Sequence, residues 1–151
     1  MEIHSKEFRN NEMIPSRFTC DGMNISPALS WSGAPSTATS YALICDDPDA
    51  PMGTWVHWVL FNIPASIISL PENFLLRNKP AAEIKAGIND FHTLEWGGPC
   101  PPGGTHRYFF KIFALDAFLN SEEGISAEEL VQAMQGHISA KAELVGKYRR
   151  K

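Results

Sequence analysis

Two histidines, two aspartates and a tyrosine fall at informative places in this 151-residue chain. In Trp55-Val56-His57-Trp58-Val59, the alternation of side chains along an extended strand puts residues 55, 57 and 59 on one face. In His106-Arg107-Tyr108-Phe109, the same parity puts His106 and Tyr108 together and turns Arg107 the other way. Each segment therefore opens with an aromatic and a histidine on one side. If both openings lie at the same end of a sandwich, the four side chains line one polar pocket with an aromatic wall. Two stiff turns flank them, Asp47-Pro48-Asp49-Ala50-Pro51 and Gly97-Gly98-Pro99-Cys100-Pro101-Pro102-Gly103-Gly104. Proline limits the freedom of such turns, and glycine lets a ligand approach the backbone. Two imidazoles, a carboxylate and a phenol suit an oxyanion: ring N–H and phenol O–H groups donate, while the carboxylate orients a ring or holds it protonated. Taken singly, each residue has a plainer use, the histidines and tyrosine in ordinary core contacts and the aspartates as turn formers.

The elements that must position these residues are short. Eleven prolines and eleven glycines favour turns over long helices. Short apolar runs separated by turn chemistry predict an all-β fold, a two-sheet antiparallel sandwich. Strands are expected over Ala28–Trp31, Thr39–Cys45, Trp55–Ile63 and Arg107–Leu115, with a closing strand over about Ala140–Tyr148. Asp46–Pro51 is expected to leave the sheet, because its two prolines lack the N–H that a ladder needs. Residues 64–104 read as one long loop. A short C-terminal helix is predicted by the capping box Ser126-Ala127-Glu128-Glu129, the apolar positions Leu130, Val131 and Met134, and a stop at Gly136.

The chain length fits one domain over residues 1–151. A net charge of −4 argues against nucleic acid as a partner, and the basic tail Lys147–Lys151 reads as a solvated terminus. No apolar run is long enough to span a bilayer, and the first residues lack the basic-then-apolar pattern of a signal peptide, so a cytoplasmic protein is expected. Of the three cysteines, Cys45 sits in an apolar run and reads as a buried small hydrophobe. Cys20 and Cys100 lie in loops that can approach each other, yet free thiols are the expectation for a reducing compartment. No cysteine–histidine grouping has zinc spacing.

Asp47-Pro48-Asp49-Ala50-Pro51 with Trp55-Val56-His57-Trp58, and the block from Gly98-Pro99 to Gly104-Thr105-His106-Arg107-Tyr108, resemble the two signature regions of the phosphatidylethanolamine-binding protein (Raf-kinase-inhibitor-like) family. Phe18-Thr19-Cys20-Asp21-Gly22 with Asn24-Ile25-Ser26-Pro27, Gly87-Ile88-Asn89-Asp90-Phe91 and Ala142–Tyr148 resemble its bacterial and archaeal branch. The likeness runs through nearly the whole chain in matching order. It implies a sandwich of one large and one small sheet, with a pocket for phosphate-like anions and phospholipid head groups. By motif position, Asp47, Trp55, His57, Gly98, Pro99, His106 and Tyr108 would line that pocket. Asp49 and Arg107 belong to the same motifs. Because parity turns Arg107 away from His106, its expected role is structural, as an ion pair with Asp49 or Asp46. His92-Thr93-Leu94-Glu95-Trp96 departs from the glycine- and tyrosine-containing stretch of relatives, and His92 reads as a surface-loop residue.

The leading expectation is thus a non-catalytic binding protein for a small anion or phosphorylated ligand, needing no cofactor and no metal. The resemblance also implies regulation of a protein kinase or protease, and assembly as a homodimer. The alternative is a metal-dependent hydrolase using His57, His106 and Asp47 as a two-histidine, one-carboxylate set. A hydrolase built on Cys100 and His106 is disfavoured, because Pro99-Cys100-Pro101-Pro102 offers no helix start to activate a thiol.

Overall fold

The run Ser40–Asp47 (β4) is buried at every one of its eight positions. Such a run needs cover on both faces of its sheet, and the computed structural model, which describes residues 1–151, supplies it. Tyr41, Leu43 and Cys45 point into a core of 23 buried residues between two sheets, and Ala42 and Ile44 into a second cluster of eight beneath a helix. The small sheet consists of Glu2–His4 (β1), Leu29–Ser32 (β3) and Ser69–Leu70 (β6), in the order β1-β3-β6. The large sheet has the order β2-β9-β8-β4-β5-β7. Its further members are Glu12–Met13 (β2), Trp55–Pro64 (β5), Lys85–Ala86 (β7), His106–Leu115 (β8) and Ile138–Tyr148 (β9). The long neighbours β9, β8, β4 and β5 pair antiparallel, and only the two-residue β2 pairs parallel. The two-sheet β-rich architecture expected from turn chemistry and alternation is the one found.

The predicted helix is present as Ala127–Met134 (α1). The Glu129 N–H donates to Ser126 Oγ and the Ser126 N–H to Glu129 Oε1, both at 3.0 Å. Its buried stripe is Leu130 and Met134, with Val131 turned to solvent, and the chain reverses through Gly136 at φ 81°. No helix is long and apolar enough to cross a membrane.

Three expectations need correction. Asp46 and Asp47 stay in the sheet, paired with Val56 and Trp55, so the chain leaves β4 only at Pro48. The stretch 64–104 is not one loop: β6 pairs with β3, β7 pairs with β5, and a 3-10 turn covers Leu76–Asn78. Two-residue strands carry no legible periodicity of their own and exist because longer strands offer them edges. The third correction concerns parity in β5. Cys45 opposes Trp58 and Asp46 opposes Val56, which leaves His57 as the extra residue of a β-bulge. The ring of His57 lies beside Tyr108 and Trp96, on the side where Trp58 joins the inter-sheet core, whereas Val56 and Val59 pack toward the helix. Residues 55, 57 and 59 therefore do not share a face.

Candidate functional site

β8, β4 and β5 are neighbours, and antiparallel pairing brings the start of β8, the end of β4 and the start of β5 to one end of the large sheet. That end holds His106, Asp47, Trp55 and His57, which line a cleft of about 250 Å³ together with Tyr108. The floor is deeply buried, with Asp47 at 4%, His57 at 3%, His106 at 6% and Tyr108 at 0% exposure. Trp55 stands half-exposed at the rim, its ring 5.5 Å from that of Phe91.

Each floor residue is fixed by a specific partner. The Asp47 carboxylate accepts twice: Oδ2 from His106 Nδ1 at 2.7 Å, and Oδ1 from the Asp49 N–H at 2.7 Å. The second bond closes the turn that carries the chain out of β4. His57 Nδ1 donates to the Gly97 carbonyl at 2.6 Å, and the Gly97 N–H returns a bond to the His57 carbonyl at 3.2 Å. A carbonyl and a carboxylate can only accept, so both rings carry their first proton on Nδ1. Nε2 of each neutral ring is then a lone pair, and becomes a donor only when the ring gains a second proton. Burial pushes the His57 pKa below its ordinary value, against the raising pull of the Gly97 carbonyl and Asp47. Burial and then the charge of Asp47 push the Tyr108 phenol far above the usual tyrosine range, so it stays protonated. Its buried hydroxyl has no hydrogen-bond partner in the protein.

The two remaining motif residues lie outside the cleft. Arg107 is exposed and binds Asp49 through both carboxylate oxygens, Nε to Oδ2 at 2.9 Å and Nη2 to Oδ1 at 2.8 Å, while its backbone N–H also reaches Oδ2 at 2.9 Å. Hydrogen bonding to Arg107 holds the Asp49 carboxyl down at about 2. Of the two partners open to Arg107, Asp49 is the one used, since Asp46 takes Lys111 at 2.9 Å. The pair latches the Asp47–Pro51 turn onto β8, the strand that carries His106.

Gly98 and Pro99, expected on the pocket wall, are buried behind it. The Gly98 N–H donates to Asn24 Oδ1 at 2.8 Å, and the Pro99 carbonyl accepts from the Cys20 N–H at 3.1 Å. A Cβ at residue 98 would collide with Asn24 Oδ1 and the Phe18 carbonyl, so glycine is set here by packing and not by ligand approach. The free-thiol expectation for Cys20 and Cys100 is also overturned: they form a disulfide, with Cα atoms 5.4 Å apart. Backbone contacts between the two loops place the sulfurs in bonding range, a positional fact that an argument from compartment does not contain. Cys45 is free and buried, as expected.

Ala50, Pro51, Met52, Phe91, Cys100, Pro101 and Pro102 complete the walls, and sequence reading assigns none of them to the lining. Apart from Met52 and Phe91, they sit in the two turns expected to frame the site. Phe91 has no local signal: Asn89 binds the His57 and Glu95 carbonyls and accepts from the Phe91 N–H, which folds a distant loop over β5. His92 is exposed and does not line the cleft. His57, His106 and Asp47 do not converge as a metal-ligand set, and no group of three or more such side chains is placed to hold an ion. Asp47 spends both oxygens on His106 and the turn.

A two-sheet sandwich with a cleft at the ends of three adjacent strands, polar at its floor and apolar at its mouth, defines a ligand-cleft sandwich protein. The family model for phosphatidylethanolamine-binding protein matches residues 4–149, and the chain belongs to that family. It is 51% identical over 150 residues to a UPF0098 protein of Methanothermobacter thermautotrophicus, covering 99% of both chains. A UPF0098 protein of Aquifex aeolicus is 46% identical, with 99% of this chain and 89% of that one covered. Among solved structures, the phosphatidylethanolamine-binding protein homologue CT736 of Chlamydia trachomatis superposes with a TM-score of 0.92 at 37% identity, over 99% of this chain and 97% of that one. Escherichia coli YbcL, described as a member of the mammalian family, superposes at 0.91 with 33% identity, over 99% and 98%.

Proposed function

We propose that the cleft captures a small oxyanion, free or as the phosphorylated head of a larger ligand, and that the protein acts by binding and not by catalysis. The observation that carries this reading is the Tyr108 hydroxyl, a buried donor held protonated and left without an acceptor. Leaving such a group unmatched costs about 1–3 kcal/mol, and an anion oxygen in the cleft would supply the acceptor. His106 and His57 add donors through Nε2 once doubly protonated. Asp47, on the far side of the His106 ring, balances the charge which that ring then carries. Nothing in the lining is a permanent cation, because Arg107 is turned away to Asp49. Affinity must therefore come with protons.

A pH dependence with a definite sign follows. Sulfate stays a dianion across the histidine range, so titration calorimetry with sulfate isolates the protein's own titration. Binding is expected to be at least about tenfold weaker at about pH 8 than at about pH 5, because Nε2 donates only from a doubly protonated ring. Equal sulfate affinity at the two pH values would overturn the assignment of His57 and His106 as donors.

A further inference from the structure

One wall of the cleft is fastened differently from the rest. The segment leading to it is clipped to the N-terminal loop by ordinary hydrogen bonds: Trp96 Nε1 donates to the Phe18 carbonyl at 3.1 Å, Gly98 N–H to Asn24, and Cys20 N–H to Pro99. Those bonds end at Pro99. From Cys100 to Thr105 no backbone hydrogen bond reaches the rest of the protein, and the next fixed residue is His106 on β8. Gly103 and Gly104 have open space around them. Yet Cys100, Pro101 and Pro102 line the cleft together with Trp55 and Met52. The covalent bond from Cys100 to Cys20 is the tether nearest this wall. Its anchor is firm, because Asp21 beside Cys20 accepts from the Tyr148 hydroxyl at 2.6 Å, at the end of β9. Cys100 is exposed and Cys20 half-buried, so the bond lies at the surface, whereas Cys45 is buried and free.

We propose that the Cys20–Cys100 bond is a thiol-exchange site whose redox state sets the affinity of the cleft, a regulation that rests on the anion reading given above. The reductant is a dithiol. One of its thiolates attacks Cys100 Sγ, forming a mixed disulfide and releasing Cys20 as a thiolate that takes a proton. The second thiolate then attacks the reductant's own sulfur, releasing Cys100 and leaving the reductant as a disulfide. Two electrons and two protons pass from the dithiol to the two cysteines. Cys100–Thr105 is then anchored at Pro99 and His106 and held between them by the packing of the buried Pro101 alone, so Pro101 and Pro102 shift more freely against the cleft.

The test compares oxidised protein, protein reduced with dithiothreitol, and the Cys20→Ser/Cys100→Ser variant. Inorganic phosphate is titrated by calorimetry, and backbone mobility is read by 15N relaxation at Gly103, Gly104 and Thr105, with Arg107 and Tyr108 as internal references. Reduced protein and variant are expected to bind phosphate about tenfold more weakly than oxidised protein. Disorder is expected to rise at residues 103–105 while 107 and 108 stay rigid. Equal phosphate affinity in oxidised and reduced protein overturns the latch and leaves the anion reading standing. Loss of the whole folded spectrum on reduction also overturns it, because the bond would then hold the domain and not the wall. Failure of the oxidised protein to bind phosphate overturns the anion reading, and with it control of that affinity.

Discussion

At the scale of single residues, the chemistry of the site comes from what each group is denied. His106 and His57 have Nδ1 committed to Asp47 and to the Gly97 carbonyl, so the cleft is offered only Nε2. Tyr108 has no partner at all. Tyr108→Phe keeps the ring against His57 and removes the orphaned donor. It is expected to cost phosphate affinity about tenfold, as the loss of one hydrogen bond to a charged group should. The empty variant is expected to melt no lower than the parent, since a buried unmatched hydroxyl has gone. Calorimetry and differential scanning fluorimetry read the two effects separately. A melting point lowered by several degrees would show that the hydroxyl has a protein partner. Arg107 teaches a related lesson. Its charge makes it the most tempting anion ligand in the sequence, yet strand parity turned it outward, and the structure pairs it with Asp49.

At the scale of elements, β4, β5 and β8 deliver their residues to one end of the large sheet, and two irregular features aim them. The bulge at His57 turns two successive side chains of β5, His57 and Trp58, to the inter-sheet side, so the strand lines the cleft and fills the core together. The turn after Asp47 is closed by its own carboxylate and fastened to β8 by Asp49 and Arg107. The loop 96–99 behind the wall is fixed by packing around Gly98. Gly98→Ala is expected to destabilise the fold by about 1–3 kcal/mol, because its Cβ meets the Asn24 side chain and the Phe18 backbone. It should also weaken phosphate binding by shifting the loop that fixes His57 through Gly97. Gly103→Ala, in open space on the same stretch, is the control and should change stability little. Equal effects of the two substitutions in urea unfolding would remove packing as the reason for the glycine.

At the scale of the whole molecule, acid reaches the fold through two separate windows. His57 titrates below its ordinary value in the folded protein, so the unfolded chain takes up its proton first and stability falls as pH drops below about 6.5. Asp49 is held at about 2, so its contribution is complete above about pH 4 and is lost as pH falls toward 2. Melting temperatures of the ligand-free protein should therefore step down first as pH drops below about 6.5, and again below about pH 4. His57→Gln should remove the first step alone, and Arg107→Leu should shrink the second. A first step that survives His57→Gln would assign it to another group. Sulfate should oppose the first step, because it binds protonated His57.

The sequence by itself determined what local rules can carry. Apolar runs separated by Pro and Gly turns implied a sandwich, the Ser126–Glu129 box placed the helix start, and alternation in β8 put His106 and Tyr108 on one side with Arg107 on the other. Local rules reach only as far as regular geometry. The inserted residue at His57 depends on the pairing of β5 with β4, and it broke the parity assumed for Val59. Phe91 came to the cleft through the Asn89 network, and Gly98 and Pro99 were drawn behind the wall by contacts some 75 residues away in sequence. The Cys20–Cys100 bond spans a sequence separation of 80 and follows from two loops docking edge to edge, which neither loop encodes alone. Strand periodicity belongs to a residue and its neighbours. Bulges, loop docking and disulfide pairing belong to the relation between strands and loops, and only the tertiary structure holds that relation.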